Sequence, residues 1–456
     1  MTTTSPTAPS ATPTNSHAAT GLTVVVVGSM ATGLVAALAL VAAPFIPAEE
    51  GALTGAVLCG SALGWAMLAV LSVRFTDQPQ RWAVAPAVLM GVGGLLLVVF
   101  GASAQDVLGF LWPPALLGLS AWMIARIRRQ VRNRGSRRLL YVVAAVLAVA
   151  AIGGGYQTVR GAVDATAHPA PGRLVDVGGH RLHLSCTGSG SPTVVLEPGA
   201  GAMSSSLGWI TPALAGETQV CVYDRAGRGW SEPADTPQDG AQIATDLHTL
   251  LHRANVPGPY VLAGHSFGGL YALTFAARYP DEVAGMVLVD STAPASAATP
   301  AAAPRRDPGA YDLMSRFSAL VSASARLGLG QLYGQLAADG LPPQVQDEVR
   351  ARSATVGNVR STVDEYLLAG SSVAQAASLV DFADKPLVVL TAGRGTSAGS
   401  SEAQDRLAAL STGSAHRVVS DATHADLVAD REKAAATSQA VHDVLSSLRS
   451  GAPLRP

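Results

Sequence analysis

The sequence predicts an all-α transmembrane bundle followed by an α/β domain with an open, mostly parallel central sheet. Two observations support this organisation. The 456-residue chain is 48% hydrophobic, and most of the excess lies before residue 157, in long apolar segments. After that point short apolar runs alternate with helical stretches, a rhythm typical of strands covered by helices on both faces.

Five apolar segments each approach the roughly 20 residues that a helix needs to cross a bilayer. They carry no charged side chain in their interiors, and we predict a helix over each: 22–43, 52–73, 82–102, 107–124 and 139–156. Because no ionisable group inside them suggests an ion path, a plain anchor is the favoured interpretation. Residues 1–20 are Thr-, Ser-, Pro- and Ala-rich and predict a disordered tail, and without basic residues there the first segment is expected to be retained.

Arginine placement predicts the orientation of the bundle, which we assign to residues 21–157 of a multi-pass protein of the cell membrane. Seven arginines and no acid lie between the fourth and fifth segments, and Arg74 and Arg81 lie between the second and third. These loops share one side of any five-span topology, so the positive-inside rule places both, and the N-terminus, in the cytoplasm. The α/β domain is then extracytoplasmic. The near-zero net charge gives no case for a nucleic-acid partner, whereas anionic lipid is compatible with the arginine cluster.

The α/β domain is predicted over residues 173–449, after a linker at 158–172 and before a short tail at 450–456. Its first two strands are expected to form a hairpin, and six further short apolar runs are expected to form the rest of the sheet. The predicted strands are 173–177, 181–185, 193–196, 219–223, 260–263, 286–289, 387–391 and 417–420.

The most informative stretch is Gly264-His265-Ser266-Phe267-Gly268, a Gly-x-Ser-x-Gly pattern between a predicted strand and a predicted helix. The pattern is typical of a nucleophilic serine on a tight turn, where the flanking glycines let the backbone bend sharply. A surface serine in a Gly-rich turn is the alternative for the motif alone. Ser266 is therefore the candidate nucleophile, and the backbone N–H of Phe267 is a candidate donor to an oxyanion.

Three more stretches, Val194–Gly201, Val222–Ser231 and Ala422–His424, occur with this motif in the order used by the α/β-hydrolase superfamily. The region from about 173 to 449 resembles that superfamily, and the whole chain is similar to membrane-anchored actinobacterial members. The resemblance implies the α/β-hydrolase fold, with the insert at about 291–381 forming a helical lid that selects substrates.

The resemblance also implies a triad of serine, acid and histidine in that chain order. His424 follows the last predicted strand and is the candidate base, whereas His265 is expected to point away from the site. The usual position of the acid, just after the strand at 387–391, has no carboxylate. The predicted acid is therefore Asp290, at the end of the preceding strand, with Glu402 and Asp405 in reserve.

Five other residues receive expectations from the resemblance. Ala200 matches the position that supplies the second oxyanion N–H, and the neighbouring Asp224 and Arg225 are expected to shape the rim of the site. Cys186 and Cys221 should lie on adjacent strands, and an exported domain meets an oxidising environment. We hypothesise a disulfide between them; two small buried side chains are the alternative.

These residues favour a membrane-anchored serine hydrolase that cleaves carboxylic esters of small molecules or lipids through an acyl-enzyme, with no cofactor or metal. Haloperoxidase-like or peptidase activity on the same triad is one alternative. A non-catalytic extracytoplasmic binding module is another, favoured by the missing carboxylate at the usual position. An epoxide hydrolase or dehalogenase is disfavoured, because each needs an aspartate where Ser266 stands.

Overall fold

The computed structural model describes residues 16–294, 308–395 and 398–455. The chain divides into two compact units, Met1–Gly155 and Tyr156–Pro456. The tail predicted over 1–20 falls outside the described residues except for its last five, which are helical and not disordered. Ala18 and Ala19 favour helix at this point, so the first helix begins upstream of its apolar core.

Long apolar helices make up the described part of the first unit. They are α1 (Ser16–Ala42), α2 (Glu50–Phe75), α3 (Val84–Gln130) and α4 (Arg134–Ala167). Gly101 interrupts α3 with φ 51° and ψ −127°. A 3-10 helix, Arg81–Ala83, leads into α3. Together these helices contain five stretches that are long and apolar enough to cross a membrane: Gly21–Ala42, Glu50–Phe75, Arg81–Gly101, Val107–Gln130 and Arg134–Ala167. The five predicted segments are thus confirmed as helices.

Packing in this unit fits a membrane bundle. Glycines allow close contacts between neighbouring helices: a Cβ at Gly60 of α2 would lie 2.3 Å from the backbone nitrogen of Ala37 on α1. In a membrane no hydrophobic effect drives helices together, so interfaces of small residues let helix backbones approach and pack closely. Apolar side chains on the outer faces, such as Val35, Leu95 and Val146, are more than half exposed, as expected for surfaces that contact lipid.

The first ten residues of the linker predicted over 158–172 are helical, because α4 continues to Ala167. The Ala-rich sequence there retains helix propensity, and the ion pair between Arg160 and Asp164, at 3.2 Å and four residues apart, supports the last turns. Pro169 cannot continue the helix, and the chain then runs into the first strand.

The second unit is built on an eight-stranded sheet, which confirms the predicted fold class. The strands are β1 (Arg173–Asp176), β2 (Arg181–Thr187), β3 (Thr193–Glu197), β4 (Val220–Tyr223), β5 (Tyr260–His265), β6 (Val283–Val289), β7 (Leu387–Ala392) and β8 (Ser414–Val419). Their order is β1-β2-β4-β3-β5-β6-β7-β8. The β1–β2 hairpin and the β2–β4 pair are antiparallel, and every other pair is parallel.

Helices cover both faces of this sheet. They are α5 (Ile210–Leu214), α6 (Gly240–Arg253), α7 (Phe267–Arg278), α13 (Ala398–Ala408), α14 (Asp426–Ala429) and α15 (Arg431–Ser450). Successive residues of a strand point to opposite faces, so Val194 and Val195 of β3 belong to different hydrophobic clusters. All five residues of β3 are buried as a result, which explains why its centre, from Val194 to Leu196, is continuously apolar.

The insert between β6 and β7 is helical in its described part, residues 308–381. Its helices are α8 (Pro308–Ala323), α9 (Gly330–Ala337), α10 (Pro343–Ser353), α11 (Val356–Leu367) and α12 (Ala369–Ala376). Its first residues, 295–307, lie outside the described part of the chain.

Cys186 and Cys221 lie opposite each other in the antiparallel β2–β4 register and form a disulfide bond, as hypothesised. The bond joins strands that are 35 residues apart in sequence.

Candidate active site

Ser266 lies at the turn between β5 and α7 in a strained backbone conformation, with φ 55° and ψ −121°. Non-glycine residues adopt this region only where the surrounding structure enforces it. The flanking glycines make the turn possible: a Cβ at Gly264 would lie 2.5 Å from the carbonyl oxygen of Gly268, and one at Gly268 would lie 2.2 Å from that of Glu197. The motif therefore has the strand-turn-helix context that a nucleophile elbow requires.

Asp290 and His424 meet beside this turn. Asp290 follows β6 with φ 43°, and its Oδ2 lies 2.6 Å from His424 Nδ1. Its Oδ1 accepts a hydrogen bond from the backbone N–H of Ala392 at 3.1 Å. Burial alone would raise the pKa of Asp290, but these hydrogen bonds outweigh burial and lower it. The carboxylate therefore stays ionised and fixes the imidazole with Nδ1–H towards it, which leaves Nε2 as the basic nitrogen.

His265 does not point away from the site, as the sequence analysis expected. Its ring centroid lies 4.5 Å from that of His424, and its Nε2 lies 3.0 Å from the His424 carbonyl oxygen. Burial first, and the proximity of His424 second, together lower the pKa of His265 to about 4. A neutral His265 can donate Nε2–H to the carbonyl, so it holds the backbone of the His424 loop.

The reserve acids lie elsewhere. Asp405 on α13 pairs with His416 of β8, with 2.8 Å between Oδ1 and Nδ1. Glu402 is an exposed residue of the same helix. Among the carboxylates considered from the sequence, the structure brings Asp290 to His424.

The loop after β3, which contains Ala200, runs directly beside the serine. A Cβ at Gly199 would lie 3.2 Å from the Cβ of Ser266, so only glycine allows this approach without a shift. Phe267 is the first residue of α7, and the first N–H groups of a helix have no partner within the helix. The loop that contains Ala200 and the first residue of α7 therefore both lie next to Ser266.

A buried cluster of charges holds this loop in place. Arg225 donates to the carbonyl oxygens of Pro198 at 2.9 Å and Gly199 at 2.7 Å. Its Nε lies 2.6 Å from Oε1 of Glu365, a residue of lid helix α11. The second oxygen of Glu365 accepts the backbone N–H of Gly201 at 3.0 Å.

Two more charged side chains complete this cluster. Arg228 Nη2 lies 2.9 Å from Glu365, and Glu197 lies 3.6 Å from Arg225. All four charged side chains are at most 3% exposed. Burial raises the pKa of Glu197 to about 7, although Arg225 and Tyr223 oppose the rise. Arg225 is thus structural, as expected, and it links the β3 loop to the lid.

Asp224 also has a structural role. Its carboxylate accepts from the backbone N–H of Ser204 at 2.7 Å and of Trp230 at 3.2 Å, and it lies 2.9 Å from Nδ1 of buried His183. These bonds fix the turn after β4 that presents Arg225.

The lid reaches the residues around the serine. The ring of Tyr366 on α11 lies 5.4 Å from that of Phe267. In the loop after β3, a Cβ at Gly201 would lie 2.6 Å from the hydroxyl oxygen of Tyr333 on α9. Lid side chains therefore contact both segments that are candidates to bind an oxyanion.

Residues 192–429, more than half of the chain, match a family model described as the alpha/beta hydrolase fold. The chain belongs to the α/β-hydrolase family. The match includes the elbow, Asp290, His424 and the lid. It does not include the first unit, whose helices are additional to the family's domain.

Parts of this chain are also similar to curated proteins. An uncharacterized protein of Schizosaccharomyces pombe is 30% identical over 261 residues, which are 49% of this chain and 46% of that protein. A putative carbamate hydrolase, RutD, of Cronobacter sakazakii is 35% identical over 106 residues, 22% of this chain and 38% of the relative. This chain thus spans less than half the length of these curated relatives.

Among solved structures, an esterase from Thermogutta terrifontis is 22% identical, with a TM-score of 0.46. The likeness covers 61% of this chain and 100% of the esterase. It concerns the fold alone.

Glu365 is the residue of the site that the sequence analysis missed. It lies in an amphipathic lid helix, where a carboxylate is ordinarily solvated, and 140 residues separate it from Arg225. The available signal was a pair of arginines, Arg225 and Arg228, in a loop expected to lie at the rim of the site, since arginines removed from water need acidic partners.

Proposed function

We propose that this α/β hydrolase is a membrane-anchored serine hydrolase that cleaves carboxylic esters through Ser266, His424 and Asp290. The observation that carries the proposal is the 2.6 Å contact between Asp290 and His424 beside a serine held at φ 55°. A serine hydroxyl is a weak nucleophile unless a positioned base removes its proton, and the acid–histidine pair supplies such a base.

The proposed reaction has two steps. In the first, His424 Nε2 takes the proton of the Ser266 hydroxyl while Oγ attacks the ester carbonyl carbon. The N–H groups of Phe267 and Ala200 stabilise the oxyanion, and His424 returns the proton to the departing alcohol. In the second, His424 deprotonates a water molecule as it attacks the acyl carbon. The bond from that carbon to Ser266 Oγ then breaks, His424 returns the proton to Oγ, and the carboxylic acid leaves.

Hydrolysis of a carbamate is the second candidate, favoured by the similarity to a putative carbamate hydrolase. The same serine, base and oxyanion donors act on either carbonyl, so the difference lies in the leaving group and in the lid. Lid residues Tyr333 and Tyr366, which contact the segments around the serine, are positioned to affect that choice.

The proposal is tested by trapping the acyl-enzyme. Purified full-length protein in detergent is mixed with a p-nitrophenyl ester and quenched, and its peptides are analysed by mass spectrometry. We expect the acyl mass on the Ser266 peptide, together with a burst of p-nitrophenol, and neither in Ser266→Ala. Parallel assays with ester and carbamate substrates separate the two candidates. Turnover that persists in Ser266→Ala would rule out the proposed nucleophile.

We also propose that the hydrolase domain lies outside the cytoplasm. Seven arginines, from Arg126 to Arg138, lie at the end of α3 and the start of α4, which the positive-inside rule assigns to the cytoplasm. The disulfide between Cys186 and Cys221 supports an oxidising compartment for the second unit.

A further inference from the structure

Three side chains with metal-binding chemistry converge where α6 passes the short 3-10 helix Pro280–Glu282. His248 and His252 are four residues apart on α6, so they share one face of the helix. Their Nε2 atoms lie 3.0 and 3.2 Å from Oε1 of Glu282. The three ligand atoms are all within 4.8 Å of one another, the one such group of His, Cys, Asp or Glu in the described part of the chain.

These separations approach those between the ligands of a metal ion. Zinc lies about 2.0–2.1 Å from histidine nitrogen and from carboxylate oxygen, so tetrahedral ligands lie about 3.3 Å apart. Two imidazoles and one carboxylate form a donor set that suits zinc and its neighbours, and water fills the fourth position. An ion would replace the two N–H protons that otherwise separate the nitrogens from Oε1.

Burial and packing of these side chains favour the binding of a cation. Oε2 of Glu282 is buried and accepts no hydrogen bond from any described residue. Holding a carboxylate oxygen away from water without a donor is costly, and a cation on the carboxylate offsets the cost. The ring of His248 stacks on Tyr279 at 4.0 Å and 10°, so this ligand is already fixed. His252 is 58% exposed, which leaves a path for an ion from solvent.

The cluster lies away from the candidate active site. Glu282 directly precedes β6, and α6 precedes β5, whereas Ser266 and Asp290 follow the carboxyl ends of the same two parallel strands. The two sites are therefore at opposite ends of these parallel strands. An ion bound here would link α6 to the residues that directly precede β6.

We propose that His248, His252 and Glu282 bind a divalent transition-metal ion such as Zn²⁺ in a structural site that links α6 to the start of β6. The sequence analysis expected no metal site, because it did not weigh the His-x-x-x-His spacing on α6 together with a carboxylate 30 residues later. The proposal does not depend on the esterase mechanism.

The test is a titration of EDTA-treated full-length protein, purified in detergent without a histidine tag, with ZnCl₂ and CoCl₂. We expect one Zn²⁺ per chain by calorimetry and a visible d–d absorption band for bound Co²⁺. Saturation at a hundredfold excess over Kd should raise the unfolding temperature by about 5 °C.

Variants identify the ligands. His252→Ala and Glu282→Gln should lose the calorimetric signal, the cobalt band and the thermal shift. His442→Ala is the matched control, because it removes a histidine from another carboxylate pair, 2.8 Å from Glu217, and should bind as wild type does. Equal binding by wild type and His252→Ala, or no binding by wild type at tens of micromolar Zn²⁺, would overturn the assignment.

Discussion

Replacing Glu365 by glutamine removes one buried negative charge and keeps the size of the side chain. In the wild type, Glu365 contacts Arg225 at 2.6 Å, Arg228 at 2.9 Å and the N–H of Gly201 at 3.0 Å. In the variant, Glu197 remains as the single acid of the cluster, at 3.6 Å from Arg225. The arginine that holds the carbonyls of the β3 loop then lacks its nearest counter-charge.

The magnitude follows from these contacts. Removing one partner of a buried ion pair costs about 3–5 kcal/mol, because the other charge stays buried and unpaired. Glutamine still offers one acceptor oxygen, so we expect the free energy of unfolding to fall by about 2–3 kcal/mol. One oxyanion donor is worth about 10²–10³ in kcat, so a displaced loop should lower kcat by about 10-fold to 100-fold, with a smaller change in KM.

The assay combines denaturant unfolding with ester hydrolysis at a temperature where both proteins are folded. Asp364→Asn is the matched control, since Asp364 is the preceding residue of α11 and forms an ion pair with Arg360, four residues earlier on the same helix. The control should keep the wild-type kcat. If folded Glu365→Gln also keeps the wild-type kcat, Glu365 does not position the oxyanion loop, whatever its effect on stability.

Four further predictions concern the triad, its titration, the disulfide and the topology. Asp290→Asn should lower kcat by about 10⁴-fold in the ester assay, whereas Glu402→Gln should not change it. Because folding lowers the pKa of Asp290, its contribution to stability is complete above the unfolded value of about 3.9 and is lost as the pH falls through the lowered pKa. The difference in unfolding free energy between wild type and Asp290→Asn should therefore shrink only below about pH 4. Replacing Cys186 and Cys221 by serine should lower the unfolding free energy by about 3–4 kcal/mol for a 35-residue loop, and equal denaturation midpoints would contradict this. Protease added to intact cells should degrade the hydrolase domain; protection until lysis would reverse the proposed orientation.

Local patterns were sufficient to predict most of the fold. The central strands β3–β7 are short, largely apolar runs, and each membrane helix is a long apolar run, so the length of the apolar run identifies them. The end of α4 was mispredicted because Gly, Ala, Pro and polar residues after residue 158 suggested a linker. The Ala-rich part of that stretch continues the helix to Ala167.

The sequence was sufficient to predict the candidate residues that come directly after strands. Ser266, Asp290 and His424 each follow a strand, and the carboxyl ends of neighbouring parallel strands meet at one edge of a sheet. Their catalytic roles stay predictions. Glu365 and the orientation of His265 were not predictable in this way, because both depend on side chains that meet across long sequence separations.

The central claim, that Ser266 is a nucleophile activated by His424, is tested most directly with a fluorophosphonate probe. The probe bonds covalently only to a serine whose proton is taken by a positioned base. Folded full-length protein should be labelled on Ser266, Ser266→Ala should not be labelled, and His424→Ala should be labelled far more slowly. Folded wild-type protein that takes up no probe at Ser266 would contradict the account and favour a non-catalytic binding module.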